Sequence, residues 1–181
     1  MRKSLITAAV LSVCCAAPAA FAADTDMGTL TINGLIKGTT CHFDNEAQTA
    51  KIQMHQIGTD VIKDLPAGQA YDGYKNETIT PFKVKCDGAT GIPKLKFRSN
   101  EFEGEGLNGV TKNNGDAEGV GYALLINGER VNINGSTPIS LNKDDDGNYT
   151  FDIAAQYARA TSDTVKAGTV DSVVTFTVVA D

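Results

Sequence analysis

An all-β sandwich of immunoglobulin-like size is the fold this chain predicts, on three observations. Short segments alternate apolar and polar residues, Asn-Gly and Asp-Gly pairs fall between them, and no stretch carries a sustained helical stripe. Alternation with a period of two puts one set of side chains on one face of an extended segment. That is what a half-buried strand requires.

Taken in order, residues 1–22 read as a secretory signal. Arg2 and Lys3 supply the positive start, Leu5 to Val13 the apolar stretch, and Ala20-Phe21-Ala22 the small-x-small cleavage pattern. The apolar run falls short of the roughly 20 residues a bilayer span needs, so membrane insertion is not expected. Cys14 and Cys15 leave with the signal. The mature chain then holds 159 residues, room for one domain with a core of its own. Without Arg2 and Lys3, 14 bases face 22 acids, a net charge of −8. No basic stripe survives, which argues against nucleic acid or an anionic membrane as partner.

Residues 23–37 form an N-terminal extension carrying a first alternating segment, Leu30-x-Ile32-x-Gly34-x-Ile36. Asn33-Gly34 inside it admits two readings. Between apolar residues the pair is a hairpin signal that would fold residues 29–32 onto 35–38, although arms that short are marginal. Alternatively, Gly34 sits within one extended strand, where a missing side chain lets the backbone pass a bulky neighbour.

Residues 38–181 hold the remaining segments. Two cysteines stay after processing, Cys41 and Cys86, and an even pair in an exported chain reads as a disulfide. Residues 51–57 alternate, as do Ile79 to Cys86; Leu95, Phe97 and Phe102 mark another strand. Val120 to Ile126 is apolar throughout, as expected of a strand buried on both faces. Tyr149, Phe151, Ile153, Ala155 and Tyr157 alternate again. Asp60 to Leu65 could hold one turn of helix, and residues 103–118, rich in Gly, Asn and charge, read as an exposed mobile loop. The last segment begins after Gly168 and places Val170, Val174, Phe176, Val178 and Ala180 on one side. An apolar strand therefore lies at each end of the exported domain. A subunit that hands a strand to its neighbour needs such an arrangement.

The chemistry-bearing residues point to no reaction. Asn142-x-Asp144-x-Asp146-Gly147 opens like a calcium loop, but Ile153 stands where the bidentate acid belongs, so a charged turn is the better reading. His42 and His55 have neither a nucleophile and acid at a supporting spacing nor a zinc-type cysteine partner. No enzyme activity, cofactor or metal is expected.

Four ordered features together resemble the chaperone–usher pilins, close to the major subunits of type 1 fimbriae. They are Gly28-Thr29-Leu30-Thr31-Ile32-Asn33-Gly34-Leu35-Ile36 ahead of Cys41; the distant Cys86; Gly119-Val120-Gly121-Tyr122-Ala123-Leu124-Leu125-Ile126; and Phe151-x-Ile153-x-Ala155-x-Tyr157, a loop, then Gly168 and the terminal strand. The resemblance implies an incomplete Ig-like sandwich that lacks its last strand. Its apolar groove would run along Gly168, Val170, Val174, Phe176, Val178 and Ala180, and would be completed by a donor strand from a partner. It further implies Leu30, Ile32, Gly34 and Ile36 as the donor residues, with Gly34 inside an extended strand. A periplasmic chaperone, an outer-membrane usher and neighbouring pilin subunits are the implied partners, and a cell-surface fimbrium reached through the periplasm is the implied location. The family's next-to-last tyrosine is replaced here by Ala180. The function expected is a structural subunit, major or minor, that supports cell adhesion. The rival expectation is a self-complete secreted Ig-like binding module that uses loops such as 103–118 and fills its own groove with residues 28–36.

Overall fold

The computed structural model describes residues 28–37, 41–44, 48–78, 81–87, 91–103, 109–131, 139–141 and 143–180. Among these the regular elements are strands and two short 3₁₀ turns. The signal reading at 1–22 lies outside them. In chain order the strands are β1 (Gly28–Lys37), β2 (Cys41–Phe43), β3 (Thr49–Met54), β4 (Ala70–Glu77), β5 (Phe82–Cys86), β6 (Lys94–Phe97), β7 (Val120–Ile126), β8 (Glu129–Arg130), β9 (Ile139–Ser140), β10 (Tyr149–Phe151), β11 (Ile153–Arg159) and β12 (Asp171–Val179). They form a five-stranded sheet in the order β3-β1-β12-β6-β9, a four-stranded sheet β4-β11-β7-β8 and a three-stranded sheet β10-β5-β2. The five-stranded sheet shares one continuous apolar core with the other two, giving the all-β Ig-like sandwich.

Phe176 of β12 is the hub of that core. Its ring lies 5.2 Å from Phe82, 5.5 Å from Phe151, 6.0 Å from Phe97 and 6.1 Å from Phe43, mostly edge to face. Aromatic pairs favour this geometry because ring edges are positive and faces negative. The Cys41–Cys86 disulfide joins β2 to β5 at directly opposed positions.

The apolar run at 120–126 is buried on both faces, for a reason the loop reading missed. Val120, Tyr122, Leu124 and Ile126 face the main core, while Ala123 packs with Val110, Ala70, Ala158 and Ala160 in a second small cluster. The stretch 109–118 therefore is not simply an exposed loop. Val110 and Thr111 are fully buried, and the Thr111 hydroxyl accepts from Tyr122 N and donates to the Ser172 hydroxyl. Residues 104–108 of that loop lie outside the described residues.

Residues 149–157 alternate as one strand but build two. The chain changes partner at Asp152: β10 pairs with β5, and β11 pairs with β4 and β7. Phe102 makes only an isolated bridge, to Thr111. Asn127 and Gly128 both take positive φ, 50° and 83°, in the tight turn between β7 and β8. Such values favour Asn and Gly. The Asp144–Gly147 stretch is a charged turn closed by Gly147 N donating to Asp144 O and Asn148 N to Asp144 Oδ1. Thr59–Val61 forms the single 3₁₀ turn within the expected helical stretch. It is tied to the loop after β11 by Arg159, whose guanidinium donates to the carbonyls of Lys63, Leu65, Thr161, Ser162 and Asp163.

Candidate functional site: an apolar groove and the strand it holds

Two strands wall a groove over the aromatic core. One is β12, with Val174, Phe176 and Val178 fully buried and Val170 nearly so just before it. The other is β3, whose Ile52 and Met54 point into the core while Thr49, Lys51 and Gln53 face out. Period-two alternation produces both walls. Ala180 follows the end of β12 and is half-buried, and Gly168 lies in the loop before it. A Cβ on Gly168 would meet Ala117 N at 2.5 Å, so the loop passes there only because the residue has none. Ser172 is a wall residue the apolar pattern concealed. It is buried, and its hydroxyl donates to Lys112 O.

β1 occupies the groove. It runs parallel to β12, with Thr29 opposite Asp171 through Lys37 opposite Val179, and antiparallel to β3, with Gly28 opposite Met54 through Asn33 opposite Thr49. From Gly28 to Gly34 both of its edges are hydrogen-bonded, which satisfies the N–H and C=O groups that a lone edge strand would leave bare. Leu30 and Ile32 are fully buried and Ile36 is half-buried against the core. Full burial of the first two is worth roughly 1.5–3 kcal/mol each. Asn33-Gly34 lies within this strand and makes no turn. A Cβ at Gly34 would stand 2.6 Å from Phe43 Cζ and 2.8 Å from Phe176 Cζ.

The start of β1 meets a polar feature of the groove. Gly28 lies against the hydroxyls of Tyr122 and Tyr157, which belong to β7 and β11 and whose rings are 5.1 Å apart. Tyr122 Oη donates to Val170 O at 2.7 Å, and Thr29 N donates to the same carbonyl at 3.0 Å. Burial pushes both phenols above their ordinary range, with neighbouring Tyr157 adding to the effect on Tyr122. Beyond Gly28 lies a cavity of about 160 Å³ lined by Ile57, Ile62, Val120, Val165 and Gly168.

The apolar spacing singled out Leu30, Ile32, Gly34 and Ile36 and the residues of β12, and these lie on paired strands. It did not find β3 as the second wall, although the 51–57 alternation was the available signal. Nor did it find Phe43, Gly28 and the two tyrosine hydroxyls, which become neighbours only through strand order. Among the described residues no group of three or more His, Cys, Asp or Glu could hold a metal ion, and no helix is long and apolar enough to cross a membrane.

A family model described as "Fimbrial protein" matches residues 30–180. The chain is also 28% identical, over 172 residues, to the "Uncharacterized fimbrial-like protein YehD" of Escherichia coli (strain K12), covering 94% of each chain.

Proposed function

Because the chain belongs to the fimbrial protein family, and is thus a structural fimbrial subunit that associates with other subunits, not an enzyme, we propose that it polymerises by donor-strand exchange. Residues 28–36 of one copy enter the groove of the next, Leu30, Ile32 and Ile36 supplying apolar side chains and Gly34 the clearance over Phe43 and Phe176. The Ig-like domain spans 38–181 and the donor extension 23–37. Gly168, Val170, Val174, Phe176, Val178 and Ala180 trace the β12 side of the acceptor groove. Before assembly a periplasmic chaperone covers this groove, and an outer-membrane usher hands the subunit to the growing cell-surface fimbrium, which supports adhesion.

One observation carries this reading. The groove between β3 and β12 takes a single strand, and that strand is β1, which precedes every other described element in the chain. A strand held in that way can be supplied from outside, which is the logic of β-augmentation. The same observation favours a second reading, a self-complete module whose own segment fills the groove permanently.

One experiment separates them. The mature chain and a version lacking residues 23–37 are purified without a chaperone and followed by size-exclusion chromatography and electron microscopy. The subunit reading expects the mature chain to assemble slowly into linear fibres and the truncated one to aggregate. A truncated chain that stays monomeric and unfolds cooperatively overturns it. A mature chain that never assembles favours the self-complete module.

A further inference from the structure

β6 and the residue after it carry a base at every second position, Lys94, Lys96 and Arg98, while Leu95 and Phe97 between them point into the core. Alternation therefore puts the bases on the outer face of the five-stranded sheet. They form a short basic stripe that the net acidity of the chain conceals. In the β6–β12 register Lys96 stands beside Thr177 and Lys94 beside Val179. Lys96 and Arg98 are exposed, and with Leu35, Asn100, Thr177 and Val179 they line an open groove of about 550 Å³. Neither base forms an ion pair among the described residues, and Glu101, next to Asn100, is engaged in accepting from Thr175 N. Charge on a strand can protect a sheet edge, but β6 lies inside its sheet, between β12 and β9.

The complementary charge stands on the turn after β9. Asp144-Asp145-Asp146 is the longest run of acids in the chain. Asp144 closes the turn by accepting from Asn148 N, and Asp145 and Asp146 are exposed with no ion pair among the described residues. Other surface acids are already matched, Glu118 with Lys166 and Asp44 with Lys83.

We propose that the groove beside β6 receives the acidic turn of a second copy of this chain, Lys96 and Arg98 meeting Asp145 and Asp146 while Leu35 and Val179 supply apolar contact. Turn and groove are different patches, so the contact is heterologous and repeats from copy to copy unless it closes a ring. Exposed ion pairs are individually weak and are screened by salt. The contact therefore acts between copies already held close together, where the effective concentration is high. Its bases belong to β6, so it does not depend on which copy supplies β1 and stands apart from the donor-strand reading.

Disulfide trapping between two mature chains, each with Cys41–Cys86 retained, tests the contact. One chain carries Asn100→Cys at the groove and the other Lys143→Cys beside the turn. At low ionic strength the mixed dimer should exceed either same-site dimer by about fivefold, an advantage that should vanish in about 0.5 M salt. Lys96→Glu with Arg98→Glu in the first chain should lower the mixed dimer by a similar factor, as should Asp145→Lys with Asp146→Lys in the second. Combining the two reversed chains should restore it. All six positions are exposed, so none of these changes touches the core. Same-site dimers that form as readily, a yield indifferent to salt, or reversals that combine without rescue overturn the proposal. No trapping at all, with dextran sulfate retained by the chain and released by Lys96→Glu with Arg98→Glu, also overturns it and assigns the groove to an anionic polymer. Rescue in chains that never form fibres would count against the donor-strand reading and leave this contact standing.

Discussion

Gly34 sits directly opposite Phe176 in the β1–β12 register and beneath the Phe43 ring. Valine there forces either the rings or the strand to move, at a cost of about 1–3 kcal/mol. The isolated Gly34→Val chain should therefore unfold earlier in a denaturant titration by about that amount. On the proposed donor-strand mechanism it should also assemble slowly or not at all, while a chaperone that covers the groove would still capture it. Normal fibre growth by this variant would remove Gly34 from the donor role. Tyr122 and Tyr157 allow a second prediction. Their protons are held in the folded chain above the ordinary tyrosine value, whereas the unfolded chain releases them near pH 10. The native state then binds more protons than the unfolded one, so stability falls as pH rises above about 10. The unfolding midpoint followed from about pH 9 to 11 should decline, and less steeply in Tyr122→Phe. Equal slopes for the two proteins would count against the burial argument.

Elements were legible where alternation and burial coincide. Residues 120–126 are a strand buried on both faces, as their unbroken apolar run suggests, and the terminal segment is β12. Other features escaped for physical reasons. β4 carries Asp72, Gly73, Lys75 and Glu77 because it is an edge strand, and charges at an edge discourage pairing with other chains while erasing the apolar signature. The division between β10 and β11 at Asp152 leaves the period undisturbed, so only partner choice reveals it. Residues 109–118 look polar, yet Val110, Thr111 and Ala117 are buried, since a Gly-rich loop can lie flat on a sheet. The backbone oxygen of Thr111 stands 2.1 Å from where a Cβ on Gly121 would be. At the site, apolar spacing revealed what fills the groove, but not the rings and hydroxyls that set its shape.

At the scale of the whole molecule, the disulfide sits immediately downstream of β1. β1 ends at Lys37 and Cys41 is covalently tied to Cys86 of β5. In the chain-entropy view, closing a loop of 45 residues stabilises the fold by about 4 kcal/mol. Reduction should lower the unfolding midpoint accordingly, and a midpoint indifferent to reductant would show that the sandwich holds without it. The same placement sets a length. Lifted from its groove, the arm from residue 28 to its covalent root at Cys41 spans 13 residues, about 40 Å at full stretch. No recipient can stand farther off than this leash allows, so the axial pitch of any fibre built from such links is bounded by the reach of a single arm.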